Sequence, residues 1–508
     1  LLIQKITEDL KAACMAINLE NCMLKKYQWL NRVWAYLPGF SLIILMRLRF
    51  IYSPITSDEG GALAIARAWS RGAVLYEDVW ADRPQGLFVL YRGLVTIGLG
   101  TPEGVRIMAI AACLIGAAAC GSIASTLVGD KARMGTVLIV GVLLSVPQFE
   151  GFIANGELLS CSVGAVALAL AMKAVWGRTA PRFWLLYASG VMGGCAVGIK
   201  QSGFDAFLTA VVAVGAMSLM SRWKKIHSWL SLPTMFLGLA TSIGAMMIHG
   251  ALTGWYRWWY AIVMYRFELR SALVNADFGR FQHTLSIALP LLIPIFLGVI
   301  LVGVLEARRV AFRTMAILAT WLFISFAAFA MGGQFFRHYW IIMMFPIGTF
   351  AGAMISYANK KWIRNLLLAA LITSPLIHTA QAMAIPRNSI GRELHDDSRL
   401  VRDERIATWF NAMRKPGDTI YPMCASAGLY GNLDIDPPFP YLWGYEARLM
   451  PGGLAQLWNF LEGEDAPRFV VRYQVPAVCD ASGASLRALH RNYKIVWTVA
   501  GLLVYERR

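Results

Sequence analysis

Charge is what this sequence has least of. Only 15% of its 508 residues are Asp, Glu, Lys or Arg, while 57% are hydrophobic, against roughly 45–50% apolar in a soluble domain. So little charge cannot clothe a soluble fold. Acids are scarcer than bases, 30 against 47, for a net charge of +17. On a soluble domain that excess would point to nucleic acid. Here the cations stand in short clusters between apolar runs, the pattern of membrane topology, and nucleic acid is excluded as a partner. Cysteine is sparse as well: 8 residues, with no CxxC pair and no metal-ligand spacing. Most fall in apolar runs as small core residues. Cys424 and Cys479 lie in the polar C-terminal part and can pair if that part is outside the cytoplasm. No cleavable signal peptide is read near Leu1. No internal repeat is evident, which counts against a transporter built from two inverted halves.

What is there is long apolar runs. A bilayer span needs about 20 mostly apolar residues, and eleven segments qualify, near 34–52, 104–128, 134–149, 158–176, 183–199, 203–221, 229–252, 284–305, 312–331, 339–356 and 364–383. The first is interrupted by Arg47 and Arg49. Segment 86–99 is apolar but short and reads as an interfacial helix. With Lys25, Lys26 and Arg32 in the cytoplasm, every second connection is short and basic: Lys131 and Arg133; Arg178 and Arg182; Arg222, Lys224 and Lys225; Arg308, Arg309 and Arg313; Lys360, Lys361 and Arg364. This is the positive-inside pattern, and one span more or fewer would scramble it. Connections 53–103, 150–157, 200–202, 253–283 and 332–338 then fall outside, with the tail from 384. The division is a cytoplasmic segment 1–33, a transmembrane unit 34–383 and an extracytoplasmic α/β domain 384–508. Within that domain Arg402–Arg414 reads as helix, and Thr419–Met423, Arg468–Tyr473 and Ile495–Tyr505 read as strands.

The first external connection carries the chemistry-bearing residues: Ser57-Asp58-Glu59-Gly60, then Tyr76-Glu77-Asp78, then Trp80-Ala81-Asp82-Arg83-Pro84-Gln85-Gly86. Adjacent acids past a helix end are often solvated surface. These stand among apolar and aromatic residues at the bilayer face, where desolvation raises a carboxylate toward the range of a general base. The nearby Arg83 offers a planar fork for a phosphate. A carboxylate base beside a phosphate-binding cation is what glycosyl transfer from a lipid phosphate requires.

In this arrangement of first helix, Asp58-Glu59 and Asp82-Arg83-Pro84-Gln85 the sequence resembles the GT-C superfamily of membrane glycosyltransferases. It is nearest to the branch of protein O-mannosyltransferases and lipid A aminoarabinose transferases. There the loop carries Asp-Glu and then an acidic-Lys-Pro-Pro motif; here Arg83 replaces Lys and Gln85 the second Pro. The resemblance implies a GT-C-like α-helical polytopic membrane fold of about eleven transmembrane helices with a small C-terminal α/β extracytoplasmic domain. It implies a polyprenyl-phosphate sugar as donor and a glycan, lipid or protein hydroxyl as acceptor. It further implies Asp58 as base, Glu59 orienting it or the acceptor, and Arg83, with Asp82 and Gln85 alongside, at the donor phosphate. Some relatives bind a divalent metal and others do not, and the sequence offers no ligand spacing for one.

Other residues on the same side are candidates for donor or substrate binding. Glu157 suits a sugar hydroxyl or a loop brace. Lys200, in a very short turn between spans, either snorkels or meets the phosphate. Arg266 and Arg270 share a helix face at i,i+4. Arg337, His338 and Tyr339 follow a Gly pair, in a position where similar His-Tyr motifs occur in bacterial relatives of the family. Competing functions are a lipid or polysaccharide flippase, a ligase using diphosphate-linked donors, and an inactive assembly scaffold. A flippase would place ionisable groups at the bilayer midplane, whereas here Arg47, Arg49, Lys173 and Asp205 lie close enough to span ends to snorkel. The expected location is a bacterial plasma membrane, N-terminus inside and C-terminal domain outside.

Overall fold

Each of the eleven apolar runs is occupied by a helix in the computed structural model, which describes residues 33–220, 223–272, 277–306, 311–425, 427–473 and 479–508. Among the described residues seven helices are long and apolar enough to cross a bilayer, from Pro102–Val128 to Lys361–Met383. Leu37–Leu48, Arg133–Leu144, Phe183–Ile199 and Asp205–Met220 are shorter. At 1.5 Å per residue, a twelve-residue helix such as Arg133–Leu144 covers only about 18 Å of the roughly 30 Å core. The chain is a multi-pass membrane protein, with seven span-length helices and shorter ones where the remaining four of the eleven runs stand. Large apolar side chains such as Trp229, Leu252, Val304, Phe312 and Phe323 stand exposed on the helices, as a lipid-facing surface requires. The basic residues Lys25, Lys26, Arg32, Arg222, Arg308 and Arg309 lie outside the described residues.

Helices approach one another closely through small residues. A Cβ on Gly190 would meet the Met235 carbonyl oxygen at 1.9 Å, and one on Gly238 the Tyr187 carbonyl oxygen at 2.1 Å. Backbone-to-backbone packing of this kind replaces the hydrophobic effect inside a bilayer. Two ionisable residues expected to snorkel are instead buried in the bundle. Arg47 donates to the carbonyls of Leu144 and Ala109 and to Ser145 Oγ, satisfying groups freed where Arg133–Leu144 ends. Asp205 accepts from Trp321 Nε1 at 3.1 Å and Ser325 Oγ at 2.7 Å, tying Asp205–Met220 to Phe312–Ala330.

The connection 53–103, expected as a long loop, is mostly helical: Ser57–Ser70 and Gln85–Thr96. The second is the amphipathic segment foreseen at 86–99, and Pro84 starts it with its fixed φ of −61°. The tail holds a four-stranded sheet ordered β1-β2-β4-β3, from β1 Ile420–Met423, β2 Phe469–Arg472, β3 Tyr493–Val499 and β4 Leu502–Arg507. β1 and β2 are parallel; β4 runs antiparallel to β2 and β3. The single strand expected over Ile495–Tyr505 is a hairpin, because Ala500 and Gly501 both take positive φ (51° and 79°) and turn the chain back. The helix expected at Arg402–Arg414 is Leu400–Met413, and a disulfide joins Cys424 to Cys479.

This tail is fastened to helix Ser57–Ser70. The short helix Gly428–Gly431 lies on it with no side chain between: a Cβ on Gly431 would stand 2.5 Å from Gly60 Cα. Trp443 Nε1 donates to Ser57 Oγ at 3.0 Å, and Arg67 Nη1 to the Leu433 carbonyl at 2.6 Å. Gly431→Val must push two backbones apart, and we expect a loss of roughly 1–3 kcal/mol, read as a lower melting temperature of the purified protein. Behind the same contact Asp403 is buried and accepts from the Tyr473 hydroxyl at 2.6 Å. Burial raises its carboxyl to about 7, with Asp397 adding to the rise. A raised carboxyl means that the folded tail holds a proton the unfolded chain releases. The tail therefore loses stability as pH climbs from about 4 to about 7. Asp403→Asn should raise the melting temperature at pH 8 and have progressively less effect toward pH 4.

Candidate active site

Helix Ser57–Ser70 begins in a capping box. The Thr56 hydroxyl accepts from the Glu59 amide, and Glu59 Oε2 accepts from the Thr56 amide at 3.2 Å and hydroxyl at 2.9 Å. Glu59 Oε1 accepts from Arg106 Nη1 at 2.7 Å and from the Ala154 amide at 2.8 Å, and Arg106 Nη2 donates to the Pro54 carbonyl at 2.9 Å. Both partners are buried. Glu59 therefore lies behind the site wall and fixes the helix to span Pro102–Val128 and to the turn before Gly156–Val175. Its neighbour, rotated about 100° around the helix, faces outward: Asp58 is exposed and makes no hydrogen bond among the described residues.

Three clefts share Asp58. The largest, about 1560 Å³, is lined by Asp82, Arg83, Arg266, His338 and Tyr339 together with Arg399, Tyr445 and Arg448 of the tail. A second, about 1010 Å³, is lined by Glu150, Arg280, Arg337, His338 and His395. A third, about 530 Å³, is lined by Arg83, Asn155, Glu157, Lys200, Trp443 and Glu446. Every connection expected outside contributes to these clefts, and none of the basic connections on the other side does. The alternation of basic and non-basic connections thus sorts the site residues to one end of the helix array.

In the large cleft Asp82 clasps two arginines. Its Oδ1 meets Arg83 Nη1 at 3.1 Å and its Oδ2 meets Arg266 Nη2 at 2.9 Å. Burial works against the Arg83 guanidinium, but Asp82 and Asp58 outweigh it and hold the guanidinium above its ordinary value. The pair forms a cationic fork that lines the same cleft as the exposed carboxylate. The side chain of Arg270 lies outside the described residues. Gln85 lines none of the clefts. Its amide donates to the Met246 carbonyl at 2.8 Å and accepts from Trp258 Nε1 at 3.0 Å, so it braces Lys225–Thr253 rather than facing the site.

In the small cleft Glu157, in the first turn after the Asn155 cap, is ion-paired with Lys200. The Lys200 ammonium stands 5.0 Å from the centre of the Tyr339 ring, so it is held inside and does not snorkel. His338 lies between two carboxylates: its Nδ1 is 2.7 Å from Glu150 Oε2 and its Nε2 is 3.7 Å from Glu157 Oε1. Glu150 also meets His395 Nδ1 at 2.8 Å. Burial would push Glu150 up, but the hydrogen bonds from His338 and His395 hold it well below the usual carboxylate range. Arg337 is turned to the tail, on Asp396 at 2.9 Å and the Glu393 carbonyl at 3.1 Å. No three His, Cys, Asp or Glu side chains among the described residues converge to hold a metal ion.

Sequence reasoning missed Glu150, His395 and the individual residues that the tail contributes. Glu446 is the most telling. It is buried in the small cleft, its Oε2 accepts from the Trp443 amide at 3.4 Å, and its Oε1 has no hydrogen-bond partner among the described residues. Burial, with Asp82 near, pushes its carboxyl well above the ordinary range. The run Trp443-Gly444-Tyr445-Glu446 has no recognisable spacing; only its aromatic content in a polar tail hinted at a binding surface.

No protein-family model and no curated protein matches the chain in sequence. Solved structures do match in shape. The aminoarabinose transferase ArnT from Cupriavidus metallidurans, bound to undecaprenyl phosphate, superposes with a TM-score of 0.58 at 13% identity, covering 94% of this chain and 97% of that one. The apo form gives 0.57 at 14% identity with the same coverage. The chain has the GT-C fold. The archaeal oligosaccharyltransferase AglB from Archaeoglobus fulgidus, in complex with an inhibitory peptide and a dolichol-phosphate, follows at 0.51 and 10% identity, over 95% of this chain and 75% of AglB.

The two adjacent acids should separate experimentally. Glu59→Ala strands the buried Arg106 and should cost roughly 3–5 kcal/mol, whereas Asp58→Asn, at an exposed position, should leave the melting curve within about 0.5 kcal/mol of wild type. Parallel thermal melts of the two variants check this.

Proposed function

We propose that this chain is a membrane glycosyltransferase that moves a sugar from a polyprenyl-phosphate donor to a hydroxyl of a glycan, lipid or protein acceptor, by one inverting displacement. The observation that carries the reading is Asp58: a carboxylate without a partner among the described residues, shared by three clefts, beside the Arg83–Arg266 fork. Two structures of the same fold bind polyprenyl-type phosphates, undecaprenyl phosphate in one and dolichol-phosphate in the other.

In this mechanism the acceptor O–H gives its proton to Asp58 as the oxygen attacks the anomeric carbon. The bond from that carbon to the phosphate oxygen breaks, its electron pair stays on the phosphate, and Arg83 and Arg266 hold the charge. Glu59 positions Asp58 through the capping box. Lys200, Glu157, His338 and Tyr339 form the wall against the donor sugar, Arg337 anchors the tail, and Glu446 meets a sugar hydroxyl. The membrane unit spans 34–383 and the external unit 384–508. The short basic connections set the N-terminus in the cytoplasm, and the site then faces the outside of a bacterial plasma membrane, where the Cys424–Cys479 disulfide is at home. The buried Arg47 and Asp205 favour an enzyme over a flippase, because both are bonded to packing partners and line none of these clefts.

Membranes containing the chain, supplied with radiolabelled polyprenyl-phosphate sugars, should move label to an acceptor. Asp58→Asn should cut turnover about 10²–10⁴-fold. Arg83→Gln should raise KM for the donor roughly 10–100-fold, the worth of a charged hydrogen bond. Full activity in Asp58→Asn would sink the assignment of the base.

A further inference from the structure

A fourth cleft, of about 790 Å³, shares no lining residue with the three around Asp58. It adjoins them along the chain at two points. Trp80 in its wall precedes Ala81 of the small site cleft, and Met450 follows Leu449 of the large one. Three separate segments build it: the connection before Gln85–Thr96, the turns Trp255–Met264, and the tail.

Its lining is unusual in kind. Five of its residues are aromatic. Trp80 and Tyr441 are buried and meet edge to face at 6.0 Å; Tyr256 and Tyr260 stack at 6.1 Å, with Tyr256 76% exposed at the mouth. Tyr260 opens the π-helical turn Tyr260–Met264, a distortion that tends to mark functional positions. Tyr76 has a φ of 72°, rare for a bulky residue, and its hydroxyl donates to the Arg83 carbonyl at 2.9 Å. The wall of this cleft therefore also supports the cation of the donor site.

The charges cancel. Glu77 and Arg257 are paired with each other, and Gln456 adds a neutral amide at an exposed position. A phosphate headgroup would find Arg257, the one cation among the described lining residues, already neutralised, and an acyl chain would find mainly rings and hydroxyls, with Met450 and Pro451 as the aliphatic part of the wall. An interfacial aromatic belt presents its rings to the bilayer, whereas Trp80 and Tyr441 are buried behind the mouth of a cleft. Flat rings with polar edges, an amide and no net charge suit a pyranose, whose C–H faces stack on aromatics while its hydroxyls reach the polar tips.

We propose that this cleft binds an uncharged saccharide belonging to the acceptor, one or more units away from the hydroxyl that Asp58 activates. This rests on the glycosyltransferase reading and narrows its acceptor from glycan, lipid or protein to a molecule carrying neutral sugar units.

The test is saturation-transfer NMR on the full chain in lipid nanodiscs. The probes are neutral linear hexasaccharides (α-1,4-glucan, β-1,4-glucan, β-1,4-mannan and α-1,6-mannan), with hexagalacturonate and glycerophosphoglycerol as anionic counterparts. At least one neutral probe should bind, and Tyr256→Ala and Gln456→Ala, both at exposed positions, should each weaken it about five-fold. Asp58→Asn should bind it as wild type does. The proposal is overturned if no neutral probe binds, if an anionic probe binds better, or if Tyr256→Ala binds unchanged. Its failure is distinguishable from failure of the enzyme reading. Sugar transfer that depends on Asp58, with no neutral probe bound, removes the subsite alone. Tyr256-dependent saccharide binding with no transfer from any polyprenyl-phosphate donor removes the reaction and leaves the cleft as a saccharide site.

Discussion

The buried ion pair of Glu59 and Arg106 is the constraint on which the rest of the site depends. One carboxylate closes the capping box of Ser57–Ser70, takes a guanidinium from the next span and takes the amide of Ala154. Charges this deep are retained only when every lone pair is satisfied, and four donors do so here. The result is a helix that can neither rotate nor slide, so the next carboxylate in sequence holds one orientation at the meeting point of three clefts. The orientation of an exposed side chain is here a property of what lies behind it.

Membrane placement and helix positions were legible because hydrophobic length is a local property. A run of about 20 apolar residues needs no knowledge of its neighbours to become a helix, and the basic clusters carry their own sidedness. That same sidedness grouped the site residues: Asp58, Arg83, Glu157, Lys200, Arg266 and His338 come from five connections and all line the clefts. Roles within the group were less legible. Asp58 and Glu59 are chemically alike and adjacent; what separates them is a 100° step of the helix and an arginine 47 residues away. Gln85 sits in the motif that drew attention to the loop, yet it faces Met246 and Trp258. The hairpin within Ile495–Tyr505 turned on two residues of positive φ, of which only Gly501 is of a type that announces one.

The tail illustrates the limit of local reading. Its helix and strands follow from pattern, but its part in the site arises from docking. Trp443, Tyr445 and Glu446 reach the clefts because Gly428–Gly431 seats on Gly60, and no spacing in the sequence encodes that distance. The GT-C fold is shared with proteins at 10–14% identity. At that distance the scaffold is recognisable from its shape, while the residues that read a substrate must be taken from this chain alone.

The seating of the tail on helix Ser57–Ser70 has a consequence for biogenesis. The hydrogen bond between Ser57 and Trp443 closes a loop of 386 residues, so the carboxylate is synthesised and inserted long before its roof exists. Until the tail has folded and settled on the glycines, the clefts have one wall missing. A nascent or truncated chain thus carries Asp58 without the tail residues that enclose it, and the clefts are complete only once the tail has docked. Chain order therefore sets when the clefts close.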